Sequence, residues 1–137
     1  MYTAEVAGRL SGGWSSQSNS IGEYIQVDFR TLRRVERVAT QGRNHQTALQ
    51  WVTSYRFASS IDSTIYEFVQ DLNGADKIFD ANFDEGTVVQ HDFDPALVAS
   101  YTRLYPQSYH NHVTLRWEVY GCDIGKICQN FRSVIKY

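Results

Sequence analysis

A two-residue alternation of apolar and polar side chains constrains the fold of this chain more than any other feature. A period of two places successive side chains on opposite faces of a strand and does not fit a helix. The alternation is clearest in residues 23–29, 51–57 and 113–120, where Val113, Leu115, Trp117 and Val119 share one face. These three segments are predicted to be half-buried β-strands.

Shorter strand signals and frequent turns complete the pattern. Turn-forming pairs such as Asn73-Gly74 and Asp94-Pro95 separate the segments, and no long helical period intervenes. Many short strands at this density predict an all-β antiparallel sandwich or barrel. The weaker predicted strands are residues 35–40, 64–69, 87–93 and 101–105.

Length and charge exclude several classes of protein. The 137 residues fit one domain, and 13 basic against 15 acidic residues argue against a partner that is nucleic acid. No apolar run approaches the ~18 residues of a membrane span. The first ten residues lack the basic and apolar regions of a signal peptide, so we expect none in this chain.

The charges are unevenly spread along the chain. Nine carboxylates but one cation, Lys77, lie between residues 62 and 94, whereas Arg30, Arg33, Arg34 and Arg37 form a basic cluster. We interpret the two groups as separate solvated faces of the sandwich.

The segment after Cys122 follows a different pattern. Its apolar residues recur at spacings of three and four, which predicts a short amphipathic helix. They are Ile124, Ile127, Cys128, Phe131 and Ile135.

The sequence contains few residues in the arrangements that catalysis needs, such as a nucleophile with a base or a set of metal ligands, so an enzyme is not expected. His110 and His112 form an H-x-H pair, but no third metal ligand follows at a suitable spacing. Residues 80–86 begin like a calcium loop, yet the glycine comes one place late and His91 stands where the bidentate Glu belongs. We therefore predict a turn held by Asx hydrogen bonds, no metal site and no cofactor, with weak structural calcium binding as the alternative.

A series of short motifs, in order, resembles the coagulation factor V/VIII type C domain, also called the discoidin domain. The resemblance covers residues 9–122. Its motifs are RL at 9–10, Trp14, YIQVDF at 24–29, TQGR at 40–43, WVTSY at 51–55, RLYP at 103–106 and LRWEVYGC at 115–122.

The resemblance implies both the fold and the kind of activity. The implied fold is an antiparallel jelly-roll β-sandwich of about eight strands, similar to galactose-binding domains, spanning residues 1–122. Residues 123–137 would form a C-terminal extension. The implied function is non-catalytic cell adhesion outside the cell, in a secreted protein or in the ectodomain of a membrane protein.

Three loops at one end of the sandwich, residues 13–20, 43–50 and 107–112, are the expected ligand-binding surface, because loops carry recognition on a rigid scaffold. The candidate contact residues are Ser15, Gln17, Asn19, Arg43, Asn44, His45, Leu49, Tyr109 and His110. A structural role is expected for Asp28, Arg116, Trp51 and Trp117. We also expect the carboxylates and guanidinium groups of Asp28, Arg43, Arg116 and Glu118 to pair under the loops.

The loop chemistry favours one class of partner over another. Amide-rich loops suit a cell-surface glycan, or an extracellular matrix or receptor protein. Leu49 is the one apolar residue at an apparent loop tip, and Arg43 is the one cation beside it. Binding to anionic phospholipid, chiefly phosphatidylserine membranes, is therefore the alternative.

The chain departs from the family at its start and at its cysteines. Only eight residues precede Arg9, so the N-terminal strand and first ligand loop are expected to be missing. Cys122 corresponds to a family cysteine whose usual partner lies near the start of the domain. Such a bridge would contribute ~4.8 kcal/mol, against ~2.4 for Cys122–Cys128. Either Cys128 is the partner, or both thiols are unpaired.

Overall fold

The computed structural model describes residues 13–43 and 49–128, together with the backbone of 132–136. Eight strands form the described part of the chain, which contains no helix. None of the described residues forms a helix able to cross a membrane. The strands are β1 (Trp14–Ser15), β2 (Ile25–Gln41), β3 (Trp51–Ser60), β4 (Glu67–Phe68), β5 (Phe79–Asp80), β6 (Val89–His110), β7 (Thr114–Asp123) and β8 (Arg132–Lys136).

Two long bent strands join the layers of the sandwich. Residues 25–28 of β2 pair with residues 101–104 of β6. Residues 33–40 pair with residues 89–99 of β6 on one side, and residues 33–41 pair with β7 on the other. Register shifts interrupt β2 after Asp28 and after Val35, and Arg30 adopts a φ of 62°. Because β2 and β6 cross from one layer to the other, the sheet curls into an antiparallel jelly roll. The predicted fold class is confirmed.

The first layer contains β3, with β6 on one edge and β4 and β5 on the other. The second layer contains β7, which has β2 on one edge and both β1 and β8 on the other. The ring centroids of Phe57 in β3 and Trp117 in β7 lie 6.3 Å apart, so the apolar faces of the layers meet in one core. This contact confirms the predicted inward face of residues 113–120.

Several predicted strands are parts of longer ones. Residues 23–29 and 35–40 both fall largely within β2, and residues 87–93 and 101–105 fall within β6. Polar residues at the bends interrupt the apolar alternation of β2 and of β6, so each was predicted as two strands. The predicted strand at 64–69 is reduced to β4, and its neighbours in the chain form loops.

The predicted amphipathic helix after Cys122 is wrong. The chain turns at residues 124–126 and returns as β8, antiparallel to β7. Two residues of the expected apolar stripe, Ile124 and Ile127, are 48% and 84% exposed. A short isolated helix is only marginally stable in water. The edge of β7 has unpaired backbone groups that can bind an added strand, so the strand is favoured.

A disulfide joins Cys122 to Cys128, with Cα atoms 5.7 Å apart. Of the two alternatives, the local bridge is therefore the one present. It closes the turn between β7 and β8, and so keeps the returning segment close to the edge that it covers.

The sequence analysis predicted that the acidic and the basic residues form separate solvated faces, and this prediction is wrong. Arg37 of β2 and Asp92 of β6 pair across neighbouring strands, with Nη2 donating to Oδ2 at 3.2 Å. Arg33 pairs with Asp123 at the end of β7. The sheet register brings residues distant in sequence together, which the linear charge pattern could not indicate.

Candidate functional site

The loop that contains β1 is fastened to the loop between β6 and β7. The Ser16 amide donates to the Val113 carbonyl at 3.0 Å, and the Val113 amide donates to Asn19 Oδ1 at 3.0 Å. The His112 ring also lies 3.2 Å from the Ser16 carbonyl oxygen. These bonds join segments more than ninety residues apart in sequence, so the fold itself brings the two loops together.

The loop before β3 joins the same cluster. Asn111 Nδ2 donates to the Leu49 carbonyl at 2.8 Å. The Trp51 indole stacks on the His110 imidazole, with centroids 4.2 Å apart and planes 12° from parallel. The described parts of the three predicted loops therefore meet at one end of the sandwich, where β3 begins and β6 ends. We call this end the loop end.

A chain of polar side chains lies at the base of these loops. Ser15 and Thr114 hydroxyls are 2.9 Å apart, and Thr114 Oγ1 donates to Gln50 Oε1 at 3.4 Å. Arg43 Nη1 donates to the same Gln50 oxygen at 3.2 Å. The chain links all three loops and limits their independent movement.

A fourth loop, residues 81–88, lies at the same end and was not among the predicted recognition loops. Asn82 is 3% exposed, and its Nδ2 donates to the carbonyls of Thr40 at 2.9 Å and Thr87 at 3.0 Å. Asp84 accepts from the Gly86 and Thr87 amides and from the Thr87 hydroxyl. These bonds lower the pKa of Asp84, the hydroxyl of Thr87 contributing most.

The fourth loop presents two large apolar side chains to solvent, Phe83 and, at its end, Val88, which is 52% exposed. Phe83, between the two anchoring residues, is 67% exposed. The signal in the sequence was the D-x-N-x-D string of residues 80–84, which resembles a calcium loop and so obscured the exposed aromatic. No group of three metal-ligating side chains capable of holding an ion occurs among the described residues.

Arg116 connects the fourth loop to the end of β2. Its Nε donates to the Gly42 carbonyl at 2.8 Å, and its Nη2 donates to the Glu85 carbonyl at 3.1 Å. The guanidinium therefore binds two backbone carbonyls rather than a carboxylate.

The predicted network of buried ion pairs is wrong. Asp28 is exposed and accepts from the Arg30 amide at 2.7 Å, while Glu118 accepts from the Tyr120 hydroxyl at 2.7 Å. Arg43 bonds the neutral Gln50. Each of these four groups has a neutral partner: a backbone amide, a hydroxyl, a side-chain amide or, for Arg116, two backbone carbonyls. These contacts avoid the cost of burying paired charges.

The remaining predicted site residues occupy varied positions. Leu49 and Tyr109 are 54% and 42% exposed at the loop end, and Gln17 and His110 are also exposed. Trp51 is half-buried beneath His110, and Trp117 is 2% exposed in the core. Asn44 and His45 lie outside the described residues.

An all-β jelly roll whose distant loops are locked together at one end has the architecture of a loop-presenting recognition module. The chain belongs to the F5/8 type C domain family, which matches residues 3–119.

The chain is similar to curated and solved members of this family. It is 39% identical to mouse lactadherin over 112 residues, which are 80% of this chain and 23% of lactadherin. It is 40% identical to dog coagulation factor VIII over 114 residues, which are 82% of this chain and 5% of that protein. The solved wild-type discoidin II of Dictyostelium discoideum superposes with a TM-score of 0.71 at 32% identity, covering 79% of this chain and 40% of that one. The chain thus spans less than half the length of these relatives.

Proposed function

We propose that this domain is a non-catalytic extracellular recognition module that supports cell adhesion. In this proposal the four loops at one end bind a glycan or an extracellular protein. The observation that carries the proposal is the hydrogen bonding among loops far apart in sequence, through Ser16, Asn19, Asn111 and Val113. Loops held in place before binding lose less conformational entropy on binding, which favours recognition.

The exposed chemistry of the loop end suits a polar ligand with an apolar face. Gln17 and His110 offer hydrogen-bonding groups, and Tyr109 offers an aromatic ring. Such a combination resembles pockets that use a few polar groups for orientation and an aromatic surface for contact. The proposal needs no metal or cofactor, since the carboxylate of Asp84 is already engaged by the loop that it shapes.

A glycan array with the wild-type protein and two variants tests this proposal. Tyr109→Ala should weaken binding of a retained glycan about fivefold or more, because aromatic contacts contribute ~1 kcal/mol or more. Ile65→Ala is the matched control: Ile65 is 68% exposed but follows the opposite end of β3. Equal loss in both variants, or no loss in Tyr109→Ala, would place glycan recognition elsewhere on the domain.

A second candidate function is binding to phosphatidylserine membranes. It is favoured by the exposed apolar side chains of Leu49 and Phe83 at the loop end. Each cation near an anionic membrane contributes ~1 kcal/mol to binding. Arg43 is the one cation among the described residues of these loops, so the electrostatic attraction to such a membrane is small.

Sedimentation with vesicles that contain or lack phosphatidylserine separates the two functions. Under the main proposal, binding to both vesicle types is weak and unchanged in Leu49→Ala and Phe83→Ala. Phosphatidylserine-dependent binding that both variants abolish, while Ile65→Ala retains it, would overturn the preference for a glycan or protein ligand.

A further inference from the structure

A cleft of about 740 Å³ opens on the flank of the sandwich, away from the loop end. One wall is the segment from Val69 to Lys77, and the other is the bend of β6 from Asp92 to Leu97. Leu97 pairs with Val35, whereas the loop end begins after Gln41 at the far end of β2. The cleft is therefore distinct from the loop cluster.

The cleft has an apolar lining. The core rings of Phe79 and Phe93 contribute to it, and so do the partly buried Val69 and Leu97. Leu72 lies on the rim, and its side chain is fully exposed to solvent. The volume falls in the range of pockets that hold a small molecule or a few side chains of a peptide.

The charged groups of the cleft are mostly acidic. Asp92 is paired with Arg37, and Asp71 uses Oδ1 to accept from the amides of Asn73 and Ala75. The Asp94 carboxylate is exposed and has no hydrogen-bond or ion-pair partner among the described residues. It is therefore available to a cation that enters the cleft.

Lys77 shows that an ammonium group can lie against the apolar lining. Its Nζ is 4.8 Å from the centroid of the Phe79 ring, a cation–π contact within the cleft. Lys77 is also the single cation among nine carboxylates between residues 62 and 94. In the lining itself, Asp71, Asp92 and Asp94 outnumber Lys77, and Arg37 offsets only Asp92, so the cleft keeps a negative charge that attracts a cation.

We propose that this cleft binds an extended segment of a partner protein that carries a lysine or arginine flanked by apolar residues. The aliphatic part of the basic side chain would lie along Pro95 and Leu97, and its charged end would meet Asp94. The flanking apolar residues would cover Leu72. Long basic side chains commonly bury their stems in this way while their charged ends remain near water.

Titration of the ¹⁵N-labelled domain by NMR tests the proposal with two peptides. The probe is acetyl-Leu-Lys-Leu-amide, and its neutral match has norleucine in place of lysine. The lysine peptide should shift the amide signals of residues 69–73 and 92–97 and bind several-fold more tightly than the norleucine peptide. Shifts confined to the loop end, equal binding of both peptides, or no shifts would each overturn the proposal.

Three substitutions sharpen the test. Asp94→Asn should weaken binding of the lysine peptide about two- to fivefold, as expected for a partly exposed ion pair. Glu67→Gln removes the same charge from exposed β4, outside the lining, and should leave binding unchanged. Lys77→Met removes the competing cation and should strengthen binding. Equal weakening by Asp94→Asn and Glu67→Gln would indicate general attraction rather than a site, and would contradict the proposal.

Discussion

Arg116 of β7 donates a hydrogen bond from Nε to the carbonyl oxygen of Gly42, 2.8 Å away. A Cβ atom on Gly42 would lie 2.7 Å from the Asp84 carbonyl oxygen, so this glycine allows the fourth loop to approach the end of β2. The same guanidinium holds the Glu85 carbonyl. One side chain thus fastens two loops of the candidate site to the sheet.

Replacing Arg116 with methionine should destabilise the domain and loosen both loops. The change removes two charge-assisted bonds and leaves the carbonyls of Gly42 and Glu85 without those donors, at a cost of about 2–3 kcal/mol. Urea unfolding measures the change in free energy, and hydrogen exchange of the Gly86 and Thr87 amides measures the local effect.

Arg34→Gln serves as the control for that substitution. Arg34 forms an exposed ion pair with Glu36, and such pairs contribute about 0–1 kcal/mol. If Arg116→Met were no more destabilising than Arg34→Gln, Arg116 would not be fastening the loops.

Replacement by alanine should destabilise the domain strongly at Gly121 and hardly at all at Gly86. A Cβ atom on Gly121 would lie 1.9 Å from the Arg34 carbonyl oxygen, so Gly121→Ala must push β7 away from β2. We expect a loss of about 3 kcal/mol or more in the free energy of unfolding. Gly86→Ala meets no atom within 4 Å and should change it by less than about 1 kcal/mol. Thermal unfolding of both variants measures the two changes, and an equal loss of stability would contradict the prediction.

The hydroxyl groups of two tyrosines, one buried and one half-buried, should contribute differently to the free energy of unfolding. The Tyr55 hydroxyl is buried without a partner among the described residues, and burial raises its pKa. Tyr55→Phe should therefore preserve stability or raise it by about 1 kcal/mol. The Tyr66 hydroxyl donates to Gln26 Oε1 at 2.7 Å, so Tyr66→Phe should cost about 1 kcal/mol. The reverse order in urea unfolding would show that Tyr55 has a hidden partner.

The acid sensitivity of the fourth loop should depend on Thr87. Its hydroxyl and amide lower the pKa of Asp84, so the charged carboxylate favours the folded state. This contribution is complete above the ordinary aspartate pKa and is lost as the pH falls through the lower folded value. In NMR titrations, Thr87→Val should raise the pKa of Asp84 toward its ordinary value.

Asp62 provides an internal reference for this titration. Backbone amides of Thr64 and Ile65 lower its pKa, and none of these groups involves Thr87. The Asp62 midpoint should therefore be the same in the wild type and in Thr87→Val. Equal movement of both midpoints would indicate a change in the whole domain rather than the loss of one bond.

The strand pattern could be predicted because it is a local property. Leu115, Trp117 and Val119 point into the core, as their alternation requires. The bends could not be predicted, because residues such as Arg30 and Pro95 interrupt the pattern without ending the strand. Pattern alone therefore divides β2 and β6 at the bends.

The candidate site was only partly visible in the sequence. Ser15, Asn19, Leu49 and Tyr109 lie on loops or at strand ends that the structure brings to one end of the sandwich. Phe83 was missed because its neighbours resemble metal ligands, whereas Asn82 and Asp84 in fact hold the loop itself.

The sequence by itself determined that residues 23–29, 51–57 and 113–120 form strands, which faces of them are buried and to which family the chain is similar, because these depend on local alternation and short motifs. Only the tertiary structure decided that Arg116 binds backbone carbonyls, that Arg37 meets Asp92 and that the C-terminal segment pairs with β7. Each of these contacts depends on strand register and on partners distant in sequence. A helical period in the C-terminal segment could not outweigh the open backbone groups at an edge that only the folded sheet creates.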